Sequence, residues 1–424
     1  MDTGGIRSGR VRVRLLAADG PDQLRWVPDA WVAWDELGRL TDVAPWDGQP
    51  YDEDLRPHVL TAGFVDGHVH FPQARIVGSA SGPLLDWLAR STFPEEERFA
   101  DPAHAARVAT WFCRRMAASG TTLAFVYGSV HPRAADRLFR ELAETGLRAI
   151  AGPVLMDEGG PDALMLGPDP ALAALEALGA RWHGYDGRLR VAAIPRFGLS
   201  CSADMMRRAG DLARERGWWV STHLSENPDE VRATCEKFGA PDYLSVYEDA
   251  GLVHERCVLA HCIHPTGDEW SRMAAARVVV AHCPDSNDFL GSGGMPVARV
   301  LDRGLPLVLG TDVAAGRSQR VPRIASSAHD NALRQGRRVS PVRWLWAATR
   351  GGAMALGEER LGALAPGFDA DMVLHELPPW AEDADGALGW LLFDHDAPPA
   401  LRTWVRGRLV WSRPEGAWGD RGPA

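Results

Sequence analysis

The chain has 424 residues, of which 46% are hydrophobic, so it exceeds one ordinary domain and can bury a large core. Its formal net charge of −10 argues against a nucleic-acid partner, because phosphate binding requires a basic face. The six cysteines form no CxxC pair, no window approaches the roughly 18 apolar residues of a membrane span, and no signal-peptide run opens the sequence. We therefore expect a cytoplasmic protein with neither a membrane nor a nucleic acid as its partner.

The two ends of the chain alternate between apolar and polar residues in the manner of short strands. This alternation occurs at residues 11–15, 30–34, 370–374 and 403–411. It predicts one small β-sandwich domain that is assembled from both termini, residues 1–60 and 360–424.

Between these ends, short apolar runs alternate with longer helical stretches, which is typical of a parallel sheet with crossover helices. Eight such runs occur, at residues 59–66, 121–127, 149–156, 189–197, 218–223, 257–261, 278–282 and 305–312. Because eight parallel strands close naturally into a barrel, residues 61–359 are predicted to form a catalytic (β/α)8 barrel of the TIM type. The expected fold class is therefore α/β.

Polar residues stand at the ends of these runs, where barrel enzymes carry their catalytic side chains. His68 and His70 follow the first run, and an extended chain places both imidazoles on one side. The fifth run ends at His223, the sixth at His261 and the eighth at Asp312. A single His-x-His pair occurs by chance, and each other residue alone could be a core or capping residue. Their joint position at the ends of different runs predicts a metal site.

Three imidazoles and one carboxylate suit a zinc ion that keeps room for one water, whose pKa the ion lowers toward about 7. Glu226, three residues after His223, is the candidate for moving the protons, and a surface carboxylate is the alternative interpretation. Many hydrolases with this ligand pattern hold two metals with a bridging lysine. Lys237 is the only lysine and lies well past the fifth run, so one zinc per chain is predicted.

Several longer stretches are more specific than single ligands. The longest is Gly-Phe-Val-Asp-Gly-His-Val-His-Phe-Pro-Gln at residues 63–73, and others lie at 82–88, 92–96, 195–202, 223–227, 282–287 and 309–313. Through these stretches the chain resembles the guanine deaminases of the amidohydrolase superfamily over nearly its whole length. The His-x-His pair and the final aspartate are shared across that superfamily, whereas the other stretches are much narrower.

The resemblance implies a role for each matching residue and a reaction that converts guanine to xanthine and ammonia. The zinc ligands would be His68, His70, His223 and Asp312. Hydroxide would attack the carbon that bears the amino group, with His261 beside the metal, while Glu226 protonates the adjacent ring nitrogen and then the departing amine. Asp312 would hydrogen-bond the attacking hydroxyl, Gln73 and Arg196 would contact the polar edge of the base, and Phe197 would also bind the substrate. The family also implies a homodimer.

The chain departs from the family's pattern at Ala62, at Ser91, at residues 156–159 and at residues 314–322. The last segment places Arg317 and Arg320 where the family has small residues. These arginines are expected either to be solvated or paired with acidic residues across a subunit contact, or to reach a substituent of the substrate. No departure affects a predicted zinc ligand.

Three other functions remain to be weighed. One alternative is a deaminase of a related ring, such as a modified or deaza-guanine or an aminotriazine. A less favoured alternative is a homologue that retains the metal without catalysis, which usually requires a lost ligand or proton shuttle. The unrelated deaminase fold with H-x-E and P-C-x-x-C zinc ligands is excluded, because the sequence has no such cysteine pair.

Overall fold

The computed structural model describes residues 7–79 and 82–414, which contain sixteen strands and fifteen α-helices. The strands are β1 (Gly9–Gly20), β2 (Gln23–Trp34), β3 (Leu40–Pro45), β4 (Glu53–Ala62), β5 (Phe64–His70), β6 (Thr121–Tyr127), β7 (Arg148–Gly152), β8 (Val154–Leu155), β9 (Leu189–Pro195), β10 (Trp219–Leu224), β11 (Cys257–His261), β12 (Val279–His282), β13 (Leu307–Leu309), β14 (Met372–His375), β15 (Arg402–Val405) and β16 (Arg408–Ser412). The helices are α1 (Leu84–Trp87), α2 (Phe93–Glu97), α3 (Pro102–Ala118), α4 (Pro132–Thr145), α5 (Pro168–Trp182), α6 (Ala203–Arg216), α7 (Pro228–Phe238), α8 (Tyr243–Asp249), α9 (Gly267–Ala275), α10 (Pro284–Phe289), α11 (Val297–Asp302), α12 (Val321–Arg334), α13 (Pro341–Ala348), α14 (Arg350–Ala355) and α15 (Ala384–Phe393).

Strands from both ends of the chain form one mixed sheet that is separate from the barrel. Its order is β16-β15-β14-β4-β1-β2-β3, with β1 antiparallel to β2 and parallel to β4. Its own apolar core includes Val13, Leu15, Leu60, Met372 and Leu374. The prediction that both termini build one separate β-structure is confirmed, while its division at residues 60/61 and 359/360 stays a prediction.

The barrel consists of eight successive parallel strands. Their order is β5-β6-β7-β9-β10-β11-β12-β13, and the short β8 also pairs with β9. Every residue of β6 and β11 is buried, because crossover helices cover one face and the barrel interior the other. The nearly closed barrel confirms the predicted TIM-type fold.

The barrel closes where β13 packs against β5. The backbone N–H of Asp312 donates to the carbonyl oxygen of His68 at 2.8 Å, which joins the two strand ends. Gly67 permits this closure, since a Cβ at that position would lie 2.2 Å from Cγ1 of Val308. Three of the predicted metal ligands, His68, His70 and Asp312, therefore lie at the seam of the barrel, and His223 lies on β10.

Several predicted strand limits are wrong, among them those of the runs at 59–66 and 403–411. The run at 59–66 spans two strands: Ala62 pairs with Met372 in the small sheet, whereas Phe64 pairs with Thr121 in the barrel. The residues on both sides of this junction are apolar, so hydrophobicity does not reveal the change of sheet. The run at 403–411 is a hairpin of β15 and β16, whose turn residues Arg406 and Gly407 have φ values of 50° and 69°.

None of the helices within residues 7–79 and 82–414 combines the length and the apolar character that crossing a membrane requires.

Candidate active site

A cavity lies at the C-terminal ends of the barrel strands and collects most of the predicted site residues. Its wall consists of His70, Gln73, Leu84, Trp87, Leu88, Arg196, Phe197, His223, Glu226, Glu230, His261, Leu290, Asp312 and Ala315. His68 lies behind this wall and is fully buried. The structure thus brings all nine predicted metal-binding, catalytic and substrate-binding residues to one place.

The four predicted metal ligands converge at one end of the cavity. The ligand atoms of His68, His70 and His223 lie within 4.8 Å of one another, and the Nε2 atoms of His70 and His223 are 3.1 Å apart. Oδ1 of Asp312 lies 3.2 Å from Nε2 of His68 and 3.5 Å from Nε2 of His70. These atoms come from β5, from β10 and from the segment that follows β13.

The electrostatics of this end suit a cation. Burial lowers the pKa of His68, His70 and His223, so their imidazoles are neutral and can offer lone pairs. Nδ1 of His223 donates to the carbonyl oxygen of Arg196 at 2.5 Å, which leaves Nε2 free to bind an ion. Burial acts to raise the pKa of Asp312, but its hydrogen bond to His68 and the surrounding histidines outweigh burial and lower it. Neutral imidazoles beside an ionised carboxylate form a donor set that fits a divalent metal ion.

The strand ends adopt a backbone conformation that L-residues rarely occupy. Ser225, His261, Cys262 and Asp312 have φ values of 52°, 70°, 48° and 46°. Such residues cost roughly 1–3 kcal/mol each, and they cluster where the fold must hold side chains in place for function. The surrounding barrel therefore maintains this strain at the three loops that carry the predicted ligands and proton-transfer groups.

Glu226 and His261 both line the cavity beside the predicted metal ligands. Oε2 of Glu226 is 3.5 Å from Nε2 of His261, whose Nδ1 donates to Oδ1 of Asn287 at 2.8 Å. Burial, followed by the nearby charges of Asp312 and Glu230, raises the pKa of Glu226 well above its usual range. Glu226 is only 3% exposed, so its interpretation as a surface carboxylate is wrong.

A second part of the cavity wall, formed by Gln73 and Arg196 and here called its polar end, offers polar groups between apolar residues. Gln73 and Arg196 are both buried, and each donates a hydrogen bond to the carboxylate of Glu96. The aromatic rings of Phe197 and Trp87 belong to the same wall. A flat heterocycle with one polar edge would satisfy both features of this end.

Sequence reasoning missed several residues that hold this site together. Glu230 accepts from the backbone N–H groups of Glu226 and Asn227, and the Asn-Pro-Asp-Glu sequence at 227–230 is a capping-box signal that could have identified it. Asn287 orients His261, and Cys283 lies within 4.8 Å of the ligand atoms of His68 and Asp312. Burial raises the pKa of the Cys283 thiol well above its usual range.

The structure also places the two unusual arginines. Nη2 of Arg317 lies 2.6 Å from Oδ1 of Asp285, and the backbone N–H of Arg317 donates to Oδ2 of the same residue. Arg320 donates to the carbonyl oxygen of Ala397. Arg317 therefore has an acidic partner within its own chain. Neither arginine contributes to the wall of the cavity.

Comparison with known proteins agrees with this arrangement. The model of the Amidohydrolase family matches residues 59–410, which include the barrel and all nine predicted site residues. The guanine deaminase of Escherichia coli (strain K12) is 36% identical over 418 residues, which cover 93% of this chain and 95% of that protein. A probable guanine deaminase of Deinococcus radiodurans is 40% identical over 375 residues and 85% of each chain.

A solved structure extends the similarity to the fold. The guanine deaminase from C. acetobutylicum, with guanine bound in its active site, superposes with a TM-score of 0.91. It is 26% identical, and the match covers 96% of this chain and 100% of that chain. The chain belongs to the amidohydrolase family and, within it, to the guanine deaminases.

Proposed function

We propose that this chain is a metal-dependent aminohydrolase that converts guanine and water to xanthine and ammonia. The observation that carries this proposal is the joint placement, in one cavity, of a metal donor set, Glu226 and the polar pair Gln73 and Arg196. The relatives named guanine deaminase support the same substrate.

The metal is proposed to be one zinc ion per chain, held by His68, His70, His223 and Asp312. When bound, the ion would supply an activated water near neutral pH. Lys237 pairs with Glu158 at 2.6 Å and donates to the carbonyl oxygens of Gly198 and Cys201. It does not belong to the cavity wall, which is consistent with a site for one metal.

The chain's own residues bind the base, transfer the protons and orient the reacting groups. Gln73 and Arg196 hold the polar edge of the base, and Phe197 packs against the ring. Glu226 accepts a proton from the attacking water and passes protons to the adjacent ring nitrogen and then to the departing amine. His261 orients the reacting group, and Asp312 accepts a hydrogen bond from the attacking hydroxyl. A carbon–oxygen bond replaces a carbon–nitrogen bond, and ammonia leaves.

Ammonia release across a panel of purines, pteridines and triazines tests the substrate. We expect guanine to be turned over. Strong activity on a modified guanine or an aminotriazine, with none on guanine, would move the chain to the alternative of a related ring. A metal-loaded, folded protein without activity on any ring would favour the non-catalytic alternative, which the presence of both the ligands and Glu226 disfavours.

The proposal also includes a homodimer in the cytoplasm that acts on a small molecule without a nucleic-acid or membrane partner. Sedimentation equilibrium of the purified protein checks the oligomeric state. A monomer at micromolar concentration would contradict it.

A further inference from the structure

A single carboxylate joins the two side chains that form the polar end of the cavity. Oε1 of Glu96 accepts from Nε2 of Gln73 at 3.0 Å, and Oε2 accepts from Nη1 of Arg196 at 2.5 Å. The Glu96 side chain, carried on α2, is only 7% exposed. It does not belong to the cavity wall, whereas Gln73 and Arg196 do. Glu96 therefore acts on a ligand only through these two residues.

The contact with Glu96 determines which way the amide of Gln73 points. A carboxylate only accepts hydrogen bonds, so it selects the NH₂ end of the amide. On the other end of the amide, the backbone N–H of Ala314 lies 3.4 Å from Oε1 of Gln73. The flipped amide would place oxygen against the carboxylate and NH₂ against an N–H donor. Both neighbours thus keep Oε1 as the hydrogen-bond acceptor that Gln73 can offer in the cavity.

Glu96 also balances the charge of Arg196. Among residues 7–79 and 82–414, Glu96 is the one acidic side chain within ion-pair distance of Arg196, whose side chain is 3% exposed. A buried guanidinium without a partner is strongly unfavourable, so removing the carboxylate charge would displace Arg196 or bring in water. The ring of Phe93 lies 5.4 Å below the guanidinium and limits its movement on one side.

We propose that Glu96 is a positioning residue that fixes the acceptor of Gln73 beside the donors of Arg196 and thereby sets the ring specificity. This pattern matches a base that carries an N–H beside a carbonyl oxygen, as guanine does. The inference rests on the proposed function for the identity of the substrate, but its basis is the three-residue network itself.

The test compares guanine with 2-aminopurine, which has the same amino group but lacks the carbonyl oxygen and the N–H beside it. In Glu96→Gln, the new amide can offer its oxygen to Arg196 only by turning its NH₂ toward Gln73. Gln73 must then flip or lose its partner. We expect kcat/KM for guanine to fall about 10- to 100-fold, the loss typical of hydrogen bonds to charged groups, while the value for 2-aminopurine changes less than about threefold.

Glu95→Gln is the matched control, because Glu95 is on the same helix and is equally buried at 5% exposure. Its carboxylate contacts His104, Arg98 and Arg75, and neither Gln73 nor Arg196. We expect this variant to keep the wild-type ratio of guanine to 2-aminopurine activity. Metal content and melting temperature, measured for both variants, separate a loss of fold from a change of specificity.

An unchanged ratio of kcat/KM for guanine to kcat/KM for 2-aminopurine in Glu96→Gln would overturn the proposal, whether both values fall equally or neither falls. If that variant does not fold, Glu96→Asp tests the same claim, since it keeps the charge but is too short to reach both partners, and the ratio should again fall. Failure of the proposed function is distinguishable, because the wild-type enzyme itself would then not turn over guanine.

Discussion

The two ends of the cavity are built in different ways. At the metal end, the ligands stand on barrel strands or directly after them, and backbone hydrogen bonds such as that from Asp312 to His68 fix their spacing. At the polar end, Gln73 and Arg196 are fixed by side-chain bonds to Glu96, which belongs to the helical segment between β5 and α3. The barrel strands thus position the metal end, and the helical segment between β5 and α3 positions the polar end.

This difference separates the reaction from the choice of substrate. Moving a predicted metal ligand would require the barrel strands to rearrange, whereas α1 and α2 can vary without disturbing the strands. Barrel enzymes commonly diversify in this way, through the loops on their catalytic face. We therefore expect changes at the metal end to abolish turnover, and changes at the polar end to redistribute it among rings.

Removal of the metal should have the largest effect. A chelator should abolish guanine turnover, and zinc should restore it at about one ion per chain, because the two groups of metal-binding side chains among the described residues share His68 and so lie at one place. Elemental analysis and ammonia release measure both quantities. Circular dichroism of the apo-protein serves as the control for folding. Two ions per chain, both required for activity, would contradict the prediction.

Replacing guanine by adenine should have the next largest effect and lower kcat/KM by as much as about 10⁴-fold. Adenine's polar edge is reversed, so it would leave the buried Gln73 and Arg196 without partners. Steady-state rates for the two bases on the same preparation provide the measurement. Good activity on adenine would mean that the polar end of the cavity does not read this edge.

Glu226→Gln should retain the metal and lower kcat by about 10²–10⁴-fold, the usual contribution of general acid–base catalysis. Glutamine has nearly the same shape but cannot accept and return protons. Metal content and kcat are measured together. A variant that keeps most of the wild-type rate would mean that a different group transfers the protons. It would also weaken the expected contrast between changes near the metal, which abolish turnover, and changes at the polar end, which redistribute it among rings.

The sequence identified the residues that converge at the metal end, because the predicted ligands follow apolar runs that are recognisable one at a time. The first run was misplaced only because Ala62 and Phe64, which flank the junction of the two sheets, are both apolar. The resemblance supplied the polar residues Gln73 and Arg196 without showing what holds them.

The support of the polar end could not be predicted in this way. Glu95 and Glu96 are adjacent and chemically identical, and only the position of α2 over the barrel gives them different partners. The partner of Arg317 is similarly hidden, since Asp285 precedes it by 32 residues and meets it only through the fold. Such contacts depend on tertiary packing, which a single sequence does not encode in any local pattern.

The smallest expected effect comes from Arg317→Ala, in the segment between β13 and α12. The side chain of Arg317 is 46% exposed, so its ion pair with the buried Asp285 is partly screened and should contribute about 1 kcal/mol or less. Asp285 also keeps two other donors, the backbone N–H of residue 317 and the hydroxyl of Ser327. We expect a melting temperature lower by at most about 2–4 °C, and relative rates on guanine and ring-modified guanines that match those of the wild type.

Arg334→Ala is the matched control, because Arg334 pairs with Asp288 at the same 2.6 Å and is 54% exposed. A loss of turnover that affects only modified guanines, and that occurs in Arg317→Ala but not in Arg334→Ala, would contradict this expectation. It would show that Arg317 reaches the substrate and that the substrate contacts extend beyond the cavity wall.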